Sequence, residues 1–214
     1  MQSLIIITAR KNSRRIKNKN LIYLGKKKLV EYSLNFALKV SRPGNIFVST
    51  DSFEIKKIAQ NYGVICPNLR PKYLSEATSN SADVCIHAIN EYEKLTKNLV
   101  NYIILLQPTS PFRSINLFNK TKNIFLKNMY PTYSVSKLIS RNFIFSEKDE
   151  TFFLKNKKNF FEINGSLYFI SKKDLNHKKS FTEYKNFNIS VFKNNKYSID
   201  IDTIYDLEKA KKYL

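Results

Sequence analysis

Residues 4–20 read Leu4-Ile5-Ile6-Ile7-Thr8-Ala9-Arg10-Lys11-Asn12-Ser13-Arg14-Arg15-Ile16-Lys17-Asn18-Lys19-Asn20. Four consecutive apolar side chains followed at once by a polar, cation-rich loop describe a buried strand that opens at its carboxyl end. Open α/β sheets bind ligands at that edge. Arg10, Ser13 and Lys19 place positive charge and a hydroxyl there, the donors that a phosphate needs. The competing reading is a solvated basic loop, common in lysine-rich chains.

Outward from this unit, Val30, Leu34, Ala37 and Leu38 recur at helical spacing, and Ile46-Phe47-Val48 is a short apolar run between Gly44 and Asp51. Asp51 and Glu54 read as a capping pair for a second helix, closed by Gly63 ahead of a strand at Val64-Ile65-Cys66. Candidate caps at 79–81 precede a helix with Cys85, Ala88, Ile89 and Tyr92 on one face, and Tyr102-Ile103-Ile104-Leu105-Leu106 is a fully apolar strand. Leu117, Thr121, Ile124 and Phe125 mark another helix, before a strand at Thr132-Tyr133-Ser134-Val135. Residues 139–163 keep no long period and read as an irregular excursion. Strands return at Ser166-Leu167-Tyr168-Phe169-Ile170, Ile189-Ser190-Val191-Phe192 and Tyr197-Ser198-Ile199, before a last helix near Thr203. This alternation predicts an α/β fold: a Rossmann-like three-layer sandwich with a mostly parallel sheet. A chain of 214 residues suits one domain spanning 1–214.

The net charge of +20, from 37 Lys and Arg against 17 Asp and Glu, favours anionic partners. The cations are spread along the whole chain, however, and Lys, Asn, Ile, Phe and Tyr are abundant together, a bias expected of an A+T-rich coding sequence. Nucleic-acid binding is therefore favoured by charge alone, with no accompanying motif. Cys66 and Cys85 lie in unrelated contexts that suggest neither a disulfide nor a metal site. With no signal-peptide pattern and no stretch approaching a membrane span, the expectation is a soluble, reduced, cytoplasmic protein.

Further segments carry a pattern. The opening loop resembles A-R-x-x-S-K-x-x-x-x-K-N of the CMP-sialic acid synthetases, the acylneuraminate cytidylyltransferases. Val48-Ser49-Thr50-Asp51-Ser52, Leu69-Arg70-Pro71, Leu106-Gln107-Pro108-Thr109-Ser110-Pro111-Phe112-Arg113, Asn164-Gly165-Ser166-Leu167-Tyr168 and Ile199-Asp200-Ile201-Asp202-Thr203 resemble later blocks of the same family, in family order. The resemblance implies coupling of CTP to a 2-keto sugar acid, such as a sialic, legionaminic or pseudaminic acid, with release of pyrophosphate. It implies nucleotide contacts from Arg10, Asn12, Ser13, Lys19, Asn20, Arg70 and Ser81, with Arg10, Lys19 and Asp202 in catalysis. It places the sugar acid near Gln107, Asn164 and Tyr168, and makes Asp200 and Asp202 the ligands of Mg²⁺. It also implies a homodimer, with 139–163 as a dimerisation or lid excursion.

The residues themselves leave alternatives. On a strand Asp200 and Asp202 would share one face, as hard oxygen ligands for Mg²⁺. Asp202 would equally serve as a helix cap, beside a capping box of Thr203 and Asp206. Ser81 reads as a nucleotide contact or a cap, and Asp51 as a cap for the second helix. His87 and His177 have no ligand-spaced partner. The chain also departs from the family pattern. Thr8 replaces a proline, Lys11-Asn12 a Gly-Gly pair, Arg14 a lysine, Ala77 an aspartate and Asn80 a serine. Asn12, a residue tolerant of the left-handed region, is expected to stand in for one lost glycine. The excursion is shorter than its family counterpart and lacks an R-Q-x-x-P-like run. Other readings are a related sugar nucleotidyltransferase of different base or sugar, a weakened homologue, or a basic nucleic-acid-binding protein.

Overall fold

The computed structural model describes residues 1–76, 78–137, 161–193 and 196–214. The strands are β1 (Ser3–Thr8), β2 (Tyr23–Leu24), β3 (Lys27–Lys28), β4 (Ile46–Ser49), β5 (Tyr102–Leu106), β6 (Thr132–Lys137), β7 (Phe161–Ser171) and β8 (Asn188–Phe192). The helices are α1 (Leu29–Val40), α2 (Phe53–Asn61), α3 (Ser81–Thr96), α4 (Ile115–Asn128), α5 (Lys172–Lys178) and α6 (Ile204–Lys211). Six strands form one sheet in the order β4-β1-β5-β7-β6-β8, in which β7 alone runs against its neighbours. The mostly parallel α/β fold read from the sequence is the fold observed.

Alternation along β1 sorts the core into two layers. Ile5 and Ile7 pack with Val30, Leu34 and Ala37 of α1, Ile55 of α2 and Phe118 and Phe125 of α4. Leu4 and Ile6 face the other way, onto Ala82, Cys85, Ala88 and Ile89 of α3 and Leu175 of α5. All four strand residues are buried, each worth on the order of 2 kcal/mol of transfer free energy. Because α1 and α3 cover opposite faces, the connections diverge between β1 and β5. That divergence opens a crevice at the strands' carboxyl ends.

Three expectations change. Val64-Ile65-Cys66 contributes a single parallel bridge, Phe47 to Ile65, between Gly63 and Pro67, whose ring removes a ladder donor. Tyr197-Ser198-Ile199 is not a strand: Lys196–Ser198 forms a 3-10 turn, and residues 199–202 follow as irregular chain. Asp51 does not cap α2; Ser52 does, accepting from the Ile55 N–H, and Glu54 pairs with Lys28. The excursion at 139–163 lies largely outside the described residues, as does Ala77; its last residues, 161–163, belong to β7. Cys66 and Cys85 are both buried, and burial pushes both thiols up, Cys66 to about 11.

Glu93 closes the end of α3 onto the start of β5. It accepts from the Val100 N–H at 2.7 Å and from Lys172 Nζ at 2.7 and 2.8 Å. Burial alone would raise its carboxyl, but the Lys172 and Val100 contacts outweigh it and hold the group below its ordinary value. A carboxyl so depressed stabilises the fold above the ordinary carboxylate range, and the gain is lost as pH falls through the folded value. Glu93→Gln is expected to cost about 1–3 kcal/mol at neutral pH. Thermal unfolding of the two proteins should converge as pH falls through the lowered folded value of Glu93; an equal gap at every pH would contradict this role.

Candidate active site

The crevice is a cavity of about 650 Å³ between the carboxyl ends of β1 and β5. Its first wall is the loop after β1. Ala9 stays in register through its N–H to the Ser49 carbonyl at 3.0 Å, and the chain then turns away. Asn20, buried in the fold, donates from Nδ2 to the Arg10 carbonyl at 2.9 Å and folds the loop back on itself. The left-handed residue that permits this return is Asn18, at φ 53° and ψ 36°. Asn12 has no positive φ and is exposed, so the expectation that it replaces a glycine is corrected. Asp51 fixes the loop's start by accepting from the Lys11 N–H at 2.6 Å.

Arg10 reaches the Glu76 carbonyl at 3.1 Å, and Arg70 lies buried behind it with Nε donating to Ser75 Oγ at 3.2 Å. Burial lowers the Arg70 guanidinium, Asp51 at 3.9 Å opposes the shift, and nearby Arg10 adds to it. Two cations held together with one distant carboxylate between them form a ready site for an anion. Asn80 caps α3 by accepting from the Ala82 N–H, which leaves Ser81 to line the cavity without a capping duty.

The opposite wall is Gln107, Thr109, Asp200 and Asp202. The Ser110 N–H donates to the Gln107 carbonyl at 3.1 Å, and the Ile201 N–H to the Thr109 carbonyl at 2.7 Å, so the segment after β5 carries residues 199–202 as a rail. Although this segment is not a strand, the expected alternation survives. Ile199 and Ile201 are buried against Leu24, Leu29 and Leu207, and both aspartates line the cavity. Burial and the charge of Asp202 raise the Asp200 carboxyl, against the pull of Thr109, Lys19 and Ser110. Asp202 goes the other way: burial would raise it, but Lys19 Nζ at 2.7 Å and Arg15 at 2.8 Å hold it below its ordinary value. Thr203 and Asp206 form the capping box of α6, so Asp202 is not the cap.

Behind this wall lies a bulge in β7. Tyr133 of β6 faces Tyr168 and Val135 faces Ile163, so residues 164–167 of β7 lie opposite Ser134 alone. Gly165 occupies its centre at φ +70°; a Cβ there would sit 2.9 Å from both Gln107 Oε1 and Ser110 Oγ and 3.4 Å from Asp200 Oδ2. Asn164 holds the bulge. It is buried, with Oδ1 accepting from Ser134 Oγ at 2.6 Å and the Ser166 N–H at 3.2 Å, and Nδ2 donating to Ser136 Oγ at 2.8 Å.

Of the residues singled out in the sequence, the fold brings Arg10, Ser13, Lys19, Asn20, Arg70, Ser81, Gln107, Asp200 and Asp202 around one cavity. Asn12 lies outside it. Asn164 supports the wall from beneath rather than lining it, and Tyr168 packs its ring on Tyr133 and Phe181, on the α5 side of the sheet. Sequence reasoning missed the clamp of Arg15 on Asp202 and the hold of Asp51 on Lys11, which join segments far apart in the chain. It also missed the role of Gly165, whose only signal was a glycine amid a strand-like run.

A cation-walled cleft at the switch point of a doubly wound sheet, facing a pair of carboxylates, is the place at which open α/β proteins bind their ligands. The family profile described as Cytidylyltransferase matches residues 4–213, and the chain belongs to that family of nucleotidyltransferases. It is 30% identical to the CMP-N,N'-diacetyllegionaminic acid synthase of Legionella pneumophila, over 100% of this chain and 97% of that one. It is 28% identical to the pseudaminic acid cytidylyltransferase of Campylobacter jejuni, over 99% and 95%. A Helicobacter pylori protein named for a pseudaminic acid cytidylyltransferase and a hydrolase is 31% identical over 58% of this chain, which spans only 30% of that longer protein. Among solved structures, a CMP:2-keto-3-deoxy-manno-octonic acid synthetase complexed with CTP shares the fold, with a TM-score of 0.73 at 15% identity over 100% of this chain and 98% of that one. No helix among the described residues is long and apolar enough to cross a membrane.

Proposed function

We propose that the protein transfers a cytidylyl group from CTP to a nonulosonic acid in the cytoplasm, giving a CMP-sugar and pyrophosphate. The observation that carries this reading is the single cavity in which Arg10, Ser13 and Lys19 face Gln107, Asp200 and Asp202. The names of the Legionella and Campylobacter relatives support the sugar class. In the reaction, the oxygen of the sugar's anomeric hydroxyl bonds to the α-phosphorus as the bond to the pyrophosphate oxygen breaks. Pyrophosphate takes that electron pair, and the hydroxyl's proton passes to solvent water. Arg10 and Lys19 offset the charge that grows on the departing group. Arg70 and Ser81 complete the nucleotide side, and Gln107, with both a donor and an acceptor, orients the sugar acid.

Asp200 and Asp202 fit Mg²⁺ in donor chemistry, as two hard oxygen groups on one wall beside the phosphate-binding loop. No group of three or more His, Cys, Asp or Glu side chains that could hold a metal ion occurs among the described residues, so the other ligands of the ion would have to come from phosphates and water. When bound, the ion neutralises triphosphate charge. Each Asp202 oxygen accepts from one cation, Oδ1 from Lys19 and Oδ2 from Arg15, which leaves a lone pair on each for a metal ion. A homodimer remains part of the proposal.

Pyrophosphate release from each of the four NTPs, assayed with Mg²⁺ against a panel of sialic, legionaminic and pseudaminic acids, tests the reading. Release from CTP alone, with one or a few of these acids, is the expected result. Equal use of all four NTPs would remove the cytidine assignment, and release with none would overturn the activity.

A further inference from the structure

Arg113 ends the segment that carries Gln107, lies outside the lining of the cavity, and ties that segment to β7 and α1. Its NH2 donates to the Gln107 carbonyl at 2.7 Å, its Nε to the Ser166 carbonyl at 2.9 Å, and its NH1 to Ser33 Oγ of α1 at 3.0 Å. The Phe36 ring lies under the guanidinium at 5.9 Å. Burial pushes the group down to about 9, with Asp200 the charge that opposes the shift. No carboxylate among the described residues is recorded in an ion pair with it. Carrying a desolvated cation without an ion-pair partner is costly, and the two carbonyls it grips belong to the two sides of one narrow contact. Gln107 and the bulge meet at Gly165, where there is no room for even a Cβ.

We infer that Arg113 is a positioning residue for the sugar-acid half of the site: one planar guanidinium sets the Gln107 backbone and the Ser166 end of the bulge at a fixed separation. This inference rests on the reading of Gln107 as the sugar-facing side chain. A planar fork with several donors can hold two carbonyls and a hydroxyl in one plane, whereas a lysine ammonium keeps the charge without the fork. The nucleotide half, built on Arg10, Arg70 and the loop after β1, shares none of these bonds.

Arg113→Lys tests the inference, with Ser33→Ala as the comparison that removes only the α1 bond. The lysine variant is expected to raise the KM for the sugar acid by about tenfold or more, since small misplacements at a reacting site are expensive, with the CTP Kd unchanged. Hydrogen exchange should quicken in segments 105–110 and 163–168 together. Ser33→Ala should change neither KM nor exchange in those segments. Arg113→Gln, whose amide still donates to one carbonyl, serves with the same readouts if the lysine variant does not fold. A lower melting temperature with unchanged KM and unchanged exchange would overturn the inference. If the wild type turns over no sugar acid, the functional reading fails, and the exchange measurement alone decides whether Arg113 fixes the two segments.

Discussion

Asp202→Asn is expected to lower turnover by about 100-fold or more while leaving the melting temperature nearly unchanged. The variant removes the charge that holds Lys19 and Arg15 and that a divalent cation would use. A hundredfold loss corresponds to about 2.7 kcal/mol of transition-state stabilisation. The stability cost is small because Asp202 is half-exposed, and ion pairs of that kind contribute about 0–1 kcal/mol. Helix α6 keeps its start, since its cap is Thr203 with Asp206. Excess Mg²⁺ should restore only part of the activity. An Asp202→Asn protein with full turnover would show that the aspartate serves Lys19 and Arg15 alone, and the metal reading would fall.

The second large effect is expected at Gly165. Alanine there must hold a left-handed conformation, which costs about 1–2 kcal/mol, and its Cβ would press on Gln107 Oε1 and Ser110 Oγ at 2.9 Å. Ser110 is buried and bonded to the Asn164 carbonyl and to Asp200, so it cannot give way easily. Gln107 is the group that moves. Use of the sugar acid should therefore fall by about 100-fold, with CTP affinity retained and stability lowered by about 1–3 kcal/mol. Gly44 provides the control, because a Cβ there meets nothing within 4 Å and its φ is not in the left-handed range. Kinetics for Gly165→Ala that match those of Gly44→Ala would reject the close approach as a feature of the site.

These two positions also show what the sequence could disclose. The run Leu4-Ile5-Ile6-Ile7 ahead of Arg10 was legible because burial on both faces leaves only apolar residues, and the break in that pattern marks the strand's end. Asp200 and Asp202 were legible through their alternation with Ile199 and Ile201. The physical basis was partly different: two buried isoleucines and a bond to Thr109 orient the segment, without a strand ladder. Asn164 shows the limit. Its motif placed it near the sugar, but three hydroxyl and backbone partners hold its amide beneath the bulge. That hold depends on Ser134 and Ser136, some thirty residues away, and no local pattern announces it. The clamp of Arg113 is hidden for the same reason, since two of its three acceptors, Ser33 and Ser166, lie on distant elements. The capping error at Asp51 is of another kind. Adjacent polar residues compete for one N–H, and which wins depends on where the chain enters the helix.

Phosphorus NMR of CTP, Mg²⁺ and a nonulosonic acid, followed as the enzyme acts, tests the central claim most directly. The account predicts that the three signals of CTP give way to one phosphodiester signal and that of pyrophosphate, in equal molar amounts, only when the sugar acid is present. Unchanged CTP with every sugar acid, or its conversion to CDP or CMP without a phosphodiester, would contradict it.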